Sequence, residues 1–388
     1  MACRLGRLAP AHAGNASLAD HRPSEKLQHR RPASAHGGNA SLAGHRPLES
    51  CNTEDLCLLT EEMPPLQARD TLNKINKKME YRKLGNTGLT LSALGFGASS
   101  LGGVFHELKE AEGIKAVHTA VDNGINFIDV SPYYGHLKAE NVLGKALREI
   151  PRDKYILSTK VGRYGHDGVN TWDYSAKRAH DSVFESMERL GVDYIDIINV
   201  HDIEFADLHQ VAQETLPALV ELRNQGVVGH VGITDLQLEN LKWVVDNVPD
   251  GTVESVLNFC HYCLCDDKLL DFLDYFESKG IGVINASPLS MGLLSKRGAP
   301  DWHPAPEGLR KACRKAVEFC ESQGYSIEKL AMQYSTGNSR ISSTLFSTTN
   351  PVNVLNNLSF ISEPAPEDLV KEVRDIIGDE FRTSWKNS

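Results

Sequence analysis

From Glu80 onward the chain alternates between two textures. Short apolar runs, bounded by glycine, asparagine or charged positions, give way to longer stretches in which apolar residues recur every three or four positions. The first texture reads as buried strand and the second as amphipathic helix. The spacing predicts strands over 94–98, 126–130, 155–159, 195–200, 228–233, 253–258, 282–285 and 342–346. It predicts helices over 110–123, 139–148, 176–190, 205–225, 238–247, 266–279, 306–323 and 327–335. Ahead of these, residues 81–91 read as a β-hairpin turning at Asn86, Thr87 and Gly88. Such an alternation predicts an α/β fold of the closed parallel kind, a (β/α)8 TIM barrel with an N-terminal β-hairpin. The competing open, doubly wound sheet asks for a glycine fingerprint after its first strand. Gly95-Phe-Gly97-Ala-Ser-Ser100 lacks the third glycine, and no helix is predicted to start there.

Residues 1–78 follow neither texture. The segment from His12 to Pro23 returns almost unchanged from His36 to Pro47, rich in Ala, Gly, His, Arg and Ser. Such a composition buries too little apolar surface to offset the entropy of ordering, and two copies are too few for a solenoid. The expected division is a disordered extension over 1–78 and a barrel over 79–388 ending in a C-terminal helix or tail. The extension's Arg-rich, acid-poor start would suit an organelle transit peptide, but no amphipathic stretch accompanies it.

Composition narrows the classes of function. Of 388 residues 41% are hydrophobic and 24% charged, and the net charge of −10 offers no footprint for nucleic acid or an anionic membrane. No apolar run is long enough to span a bilayer. Eight cysteines without a secretory signal point to a reducing, cytoplasmic setting rather than a disulfide framework. The run Cys260-His-Tyr-Cys-Leu-Cys265 lacks the paired spacings of structural zinc, so no metal is expected.

In a barrel of this kind chemistry sits where strands end and the following loops begin. The second predicted strand ends at Asp129, the third at Lys160 and the fourth at His201. Neighbouring strands lie about 4.8 Å apart, which brings all three within about 10 Å at one rim. Tyr134 follows Asp129 in a loop framed by Pro132 and Gly135, a sequence suited to turning the phenol back over that rim. An ammonium beside the phenol is expected to lower its pKa, with Asp129 holding Lys160 charged and His201 orienting a carbonyl oxygen. Asp129, Tyr134, Lys160 and His201 make a proton-transfer set without a nucleophile or metal, whose natural companion is hydride transfer.

These stretches resemble a known family. Phe127-Ile-Asp-Val-Ser-Pro-Tyr-Tyr-Gly135, followed by Glu140-Asn-Val-Leu-Gly-Lys-Ala-Leu147, is similar to the aldo-keto reductase signature, and Lys160 and His201 fall where that family keeps its lysine and histidine. Within the family the chain resembles sugar 1-dehydrogenases, which oxidise an aldose at C1 to its lactone. The matching stretches are 159–165, 260–264, 286–294 and 302–305. The resemblance implies a nicotinamide cofactor across the rim and the four catalytic residues named above.

By the same resemblance, Ser287, Leu289, Gly292 and Leu294 line the adenine-side pocket together with Ser347, Thr349, Asn353 and Asn357. Thr349 stands where NADP-preferring members carry a basic residue, so NAD is expected over NADP. Thr234 and Asp235 replace the usual Ser-Asn that holds the carboxamide, Phe259 replaces a glutamine, and Tyr262 is the ring expected to stack on the nicotinamide. Phe105, Tyr133, Arg163, Trp172 and His303 are the substrate candidates, aromatic and polar groups suited to a sugar. The partner implied is a small-molecule aldose or aldehyde, met by a monomer or weak homo-oligomer. Two other readings use the same residues. One is a broad NADPH-dependent aldehyde or ketone reductase, against which Thr349 argues. The other, of a different class, is a channel-associated regulatory subunit that engages its partner through 1–78.

Overall fold

The computed structural model describes Thr71 and residues 79–104, 108–165 and 172–386; Phe105 and nearly all of the expected extension over 1–78 lie outside the described residues. Eight strands close into a barrel: β3 (Leu94–Gly97), β4 (Phe127–Asp129), β5 (Ile156–Val161), β6 (Ile195–Val200), β7 (Val228–Asp235), β8 (Ser255–Phe259), β9 (Gly282–Ala286) and β10 (Ser343–Phe346). Every neighbouring pair is parallel, and β10 returns beside β3 with Thr344 opposite Leu94. A separate antiparallel hairpin, β1 (Tyr81–Lys83) and β2 (Thr90–Ser92), precedes the ring.

Side chains alternate in and out along each strand, so the inward positions stack in layers. Many of the inward positions are apolar. Leu84 and Leu91 from the hairpin segment join Phe127, Ile197, Leu257, Ile284 and Leu345 in one buried cluster, with Leu84 plugging the N-terminal mouth of the barrel beside Gly282. The same faces also carry Ser158, Asn199, Ser255 and Ser343, all fully buried, with Ser255 and Ser343 one inward step below Leu257 and Leu345. Glycines make room for these polar side chains. A Cβ on Gly232 would meet Asn199 Oδ1 at 2.2 Å and Ser255 Oγ at 2.5 Å, and one on Gly95 would meet Ser343 Oγ at 2.8 Å. The inward sequence then reaches the C-terminal rim with Asp129, Lys160 and His201.

Arg82 fastens the two ends of this arrangement. Its guanidinium donates to the carbonyls of Thr336 (2.8 Å), Asn338 (2.9 Å) and Ile341 (2.9 Å), just ahead of β10. Glu140, in the stretch that carried the family likeness, is fully buried. It accepts from Thr159 Oγ1 (2.7 Å) and Arg189 Nε (2.6 Å), tying its helix to β5.

One part of the expected helix order is corrected. The helix that follows β10 is Pro351–Ile361, over residues outside the helices predicted from spacing, and it packs on the helix Glu110–Asp122. Asn350 caps it, accepting from the Val352 amide at 2.8 Å, and Pro351 occupies its first turn. The helix Glu307–Ser322 instead stands outside the alternation. With Glu367–Ile377 it builds a satellite core around Leu309, Cys313, Cys320, Val373 and Ile377. Among the described residues no helix is long and apolar enough to cross a membrane.

Truncating the plug should loosen the whole barrel. Leu84→Ala is expected to lower the unfolding free energy by about 2–5 kcal/mol, seen as a lower midpoint in urea with an unchanged slope.

Candidate active site

Asp129 ends β4, Lys160 is the penultimate residue of β5, and His201 directly follows β6. The strand register sets Asp129 opposite Ser158 and Lys160 opposite Asn199. The Lys160 ammonium forms an ion pair with Asp129 Oδ2 and donates to the Val130 carbonyl at 2.8 Å. Asp129 Oδ1 accepts from Ser158 Oγ at 2.8 Å, and Asn199 Nδ2 donates to the same hydroxyl at 2.9 Å. Burial works against the Lys160 ammonium, but the Asp129 charge beside it holds the pKa above the ordinary lysine value.

The loop after β4 brings Tyr134 over this pair. Gly135 makes the turn possible: its φ is +64°, and a Cβ there would meet the Gly102 carbonyl oxygen at 2.1 Å. Lys160 Nζ lies 5.0 Å from the centre of the Tyr134 ring, and that ring meets His201 edge to face at 5.7 Å. Tyr133 turns the other way and takes a hydrogen bond from Arg163 Nη2 at 2.9 Å. The expectation that the ammonium lowers the phenol's pKa is corrected. Burial pushes Tyr134 up to about 12, and the Lys160 charge offsets only part of that rise.

His201 is held on both sides. Ser131 Oγ, which accepts the Tyr133 amide at 3.1 Å, lies 3.0 Å from His201 Nδ1. Burial pushes His201 down to about 3, so the imidazole is neutral and carries one proton. With the Tyr133 amide occupying the serine as an acceptor, the Ser131 hydrogen is available to Nδ1. With that hydrogen given to Nδ1, the imidazole proton stands on Nε2, the nitrogen beside Asp202. Asp202 stands beside that nitrogen, its Oδ2 3.5 Å from Nε2 and ion-paired with Arg163. Burial works against the Asp202 anion, yet His201 and Arg163 keep its carboxyl below the ordinary aspartate range. Neither Ser131 nor Asp202 was singled out from sequence. The available signal was position: one sits two residues after Asp129, the other abuts His201 at a strand end.

The cofactor candidates divide. Ser287 (φ 60°), Ser290 (47°), Met291 (49°) and Gly292 (103°) bend the segment after β9 through the left-handed region. The fully buried Ser290 hydroxyl has no hydrogen-bond partner among the described residues. The amides of Ser290, Gly292 and Leu293 are taken by the carbonyls of Ser287, Leu289 and Ser290, so the segment's fit to a nicotinamide dinucleotide rests on that Ser290 hydroxyl. Leu289 is half-buried beside it. Leu294 is not placed for such a contact: its side chain is sealed in the satellite core and its amide is spent on the Leu289 carbonyl.

Ser347 ties the end of β10 to the turn after β3, accepting from the Ser100 amide at 2.9 Å. Thr349 is half-buried at the start of the next helix, Asn353 is exposed and reaches Thr348 Oγ1 at 3.3 Å, and Asn357 lies one turn further on. Thr234 Oγ1 accepts the Asp202 amide at 2.9 Å. Asp235 points away from the rim. It accepts from the Gln237 amide and from Asn240 Nδ2, both at 2.9 Å, at the start of the helix Leu238–Asp246, and burial pushes its pKa up to about 8. Tyr262 is corrected as the stacking ring, because it is buried against Tyr334 at 5.0 Å. The strand's rim aromatic is Phe259, on the same face as the inward Leu257 and partly exposed.

Among the substrate candidates, Tyr133 and Arg163 lie beside His201, the Arg163 guanidinium covering the Tyr133 ring at 3.8 Å. Trp172 bridges to Arg163 through its backbone, rests on Phe205 at 5.1 Å and is 41% exposed. His303 is corrected. Its Nδ1 accepts the Ala305 amide at 3.0 Å and its Nε2 faces the Ser290 carbonyl at 3.1 Å, so both nitrogens are committed within their own loop. Phe105 lies outside the described residues.

The role of Ser131 can be read directly. In histidine-labelled protein, Ser131→Ala should shift the His201 ring-nitrogen resonances from a single Nε2-protonated form toward a mixture of tautomers, and Ser131→Thr should restore the first. An unchanged spectrum in Ser131→Ala would show that the tautomer is set elsewhere.

Comparison with known proteins agrees with this geometry. The chain is 46% identical over 314 residues to an L-galactose dehydrogenase of Arabidopsis thaliana, covering 79% of this chain and 97% of that protein. It is 35% identical over 226 residues to a D-arabinose 1-dehydrogenase of Saccharomyces cerevisiae, covering 55% and 66%. An aldo-keto reductase from Bacillus halodurans, solved in its holo form, superposes with a TM-score of 0.65 at 25% identity, over 80% of this chain and 99% of that one. The model of the aldo/keto reductase family, whose members use nicotinamide cofactors, matches residues 93–377, and the chain belongs to that family.

Proposed function

We propose that this chain is an NAD-dependent aldose 1-dehydrogenase that oxidises a sugar of the L-galactose type at C1 to its lactone. The observation that carries the reading is the 46% identity extending over 97% of an L-galactose dehydrogenase. The arrangement at the rim supports it. Tyr134, as its phenolate, takes the proton from the C1 hydroxyl and becomes the phenol, and Lys160, with its charge maintained by Asp129, stabilises the phenolate before the transfer. His201, as a neutral Nε2–H donor, orients the same oxygen as its bond to C1 becomes double. A bound nicotinamide supplies the acceptor for the hydride leaving C1. NAD is favoured because residues 346–357 carry no lysine or arginine, leaving nothing on that segment to neutralise a 2′-phosphate. The reading places the enzyme in the cytoplasm, with residues 79–388 as its working domain and a small-molecule substrate.

The direct test is to supply free aldoses, L-galactose among them, with NAD⁺ or NADP⁺ and follow absorbance of the reduced cofactor. The expected result is turnover of L-galactose with a strong preference for NAD⁺; a preference for NADP⁺ would count against the cofactor assignment, and no oxidation of any aldose against the function.

Tyr134→Phe should lower kcat by about 10²–10⁴-fold while NAD⁺ still quenches protein fluorescence at similar concentration. In the oxidation direction the active form is the phenolate, whose share grows as pH climbs toward a raised pKa. The wild-type rate should therefore increase from pH 7 to pH 10, and the residual rate of Tyr134→Phe should not.

A further inference from the structure

Asp202 takes no part in the hydride and proton transfers above, yet its carboxylate is built into the rim beside the reacting centre. It is only 6% exposed and adopts a left-handed backbone, φ 45°, a conformation that a non-glycine residue keeps only where its surroundings enforce it. Those surroundings are specific. Thr234 Oγ1 accepts its amide at 2.9 Å, Tyr174 donates its hydroxyl to the Asp202 carbonyl at 3.0 Å, and Arg163 binds Oδ2. Arg163 is itself fixed between the rings of Tyr133 (3.8 Å) and Phe205 (4.7 Å). A carboxylate offers about four lone-pair sites. Arg163 takes one, and the only other hydrogen bond to the Asp202 side chain among the described residues is a long one, from Thr234 Oγ1 to Oδ1 at 3.4 Å. The buried anion therefore keeps acceptor capacity, and Oδ2 stands 3.5 Å from His201 Nε2.

A donor and an acceptor at that separation suit two neighbouring oxygens on one molecule. Adjacent hydroxyls of a sugar ring lie about one hydrogen-bond length apart. With the C1 oxygen accepting from His201 Nε2–H, the C2 hydroxyl falls within reach of Asp202 and can donate to it. A carboxylate can only accept, so it selects a group with a hydrogen to give. We infer that Asp202 binds the hydroxyl adjacent to the reacting carbon, so that the site selects a vicinal diol: an aldose bearing a C2 hydroxyl over a 2-deoxy sugar. This inference rests on the aldose reading proposed above and adds to it the feature of the sugar that is recognised. A substrate without that hydroxyl would leave a buried charge facing a C–H group, the kind of mismatch that polar sites reject most strongly.

The test compares L-galactose with 2-deoxy-L-galactose, each with saturating NAD⁺, on the full-length wild-type chain and on Asp202→Asn. In the wild type, kcat/KM should favour L-galactose by about 10²-fold or more. In Asp202→Asn that ratio should fall to within about tenfold of unity, the variant losing with L-galactose the advantage that the 2-deoxy sugar never had. Equal efficiency of the two sugars with wild-type enzyme would overturn the inference without any variant, while leaving the aldose reading intact. A proportional loss with both sugars in Asp202→Asn would also overturn it, since that pattern belongs to a residue that only positions Arg163 or His201. Failure of the wild type to oxidise either sugar would remove the aldose reading and this inference together.

Discussion

Lys160 and Asp129 are almost completely withdrawn from water, and neither could remain charged there alone. Moving such ions from water costs several kcal/mol each, repaid only when the partner lies close and the remaining lone pairs and protons are met. Adjacent strands meet both conditions. The β4–β5 register sets the carboxylate against Ser158, the ammonium reaches back to the Val130 carbonyl, and Asn199 from β6 steadies the serine. Removing either ion would leave the other buried and unpaired, so the pair constrains three consecutive strands. The phenol of Tyr134 is then laid over a charge that cannot move away.

Electrostatically the rim has two halves. On one side the Lys160–Asp129 pair manages a proton through Tyr134. On the other, His201 is kept neutral while Asp202 is kept anionic, although the two side chains are neighbours. Arg163 makes that difference possible by pairing with Oδ2 of Asp202, the oxygen that also faces the imidazole, while Ser131 lies against the ring's other nitrogen. The strained backbone at Asp202 and along 287–292 is concentrated at this same rim, where a rigid barrel can hold unfavourable conformations in place.

Much of this was legible from the residues alone. Strand positions followed from apolar runs, and the set of Asp129, Tyr134, Lys160 and His201 followed from reading what stands at the ends of consecutive strands. The misreadings share a physical origin. Whether Tyr262 faces the rim or the helix layer, and whether Leu294 faces a ligand or a satellite core, depends on packing across distant segments that no local period encodes. The asparagine-rich stretch after β10 is missing from the helices predicted by spacing because its polar residues hide the apolar face of Val352, Val354, Leu355 and Leu358. The sign of the shift at Tyr134 was misjudged for a related reason. A neighbouring charge is visible in sequence context, but desolvation belongs to the folded interior.

The pairing of β3 with β10 joins residues about as far apart as the barrel allows, and Arg82 grips the carbonyls that lead into the last strand. During synthesis, therefore, the ribosome must deliver nearly the entire barrel before the ring can shut. Until then β3 waits with an unpaired edge and the hairpin's arginine has no carbonyls to hold. A stop codon shortly before Ser343 would spare every one of the four rim residues and still leave an open sheet prone to pairing with other chains. Loss of function from such a truncation would therefore appear as aggregation of newly made protein, with no defect in the chemistry to account for it.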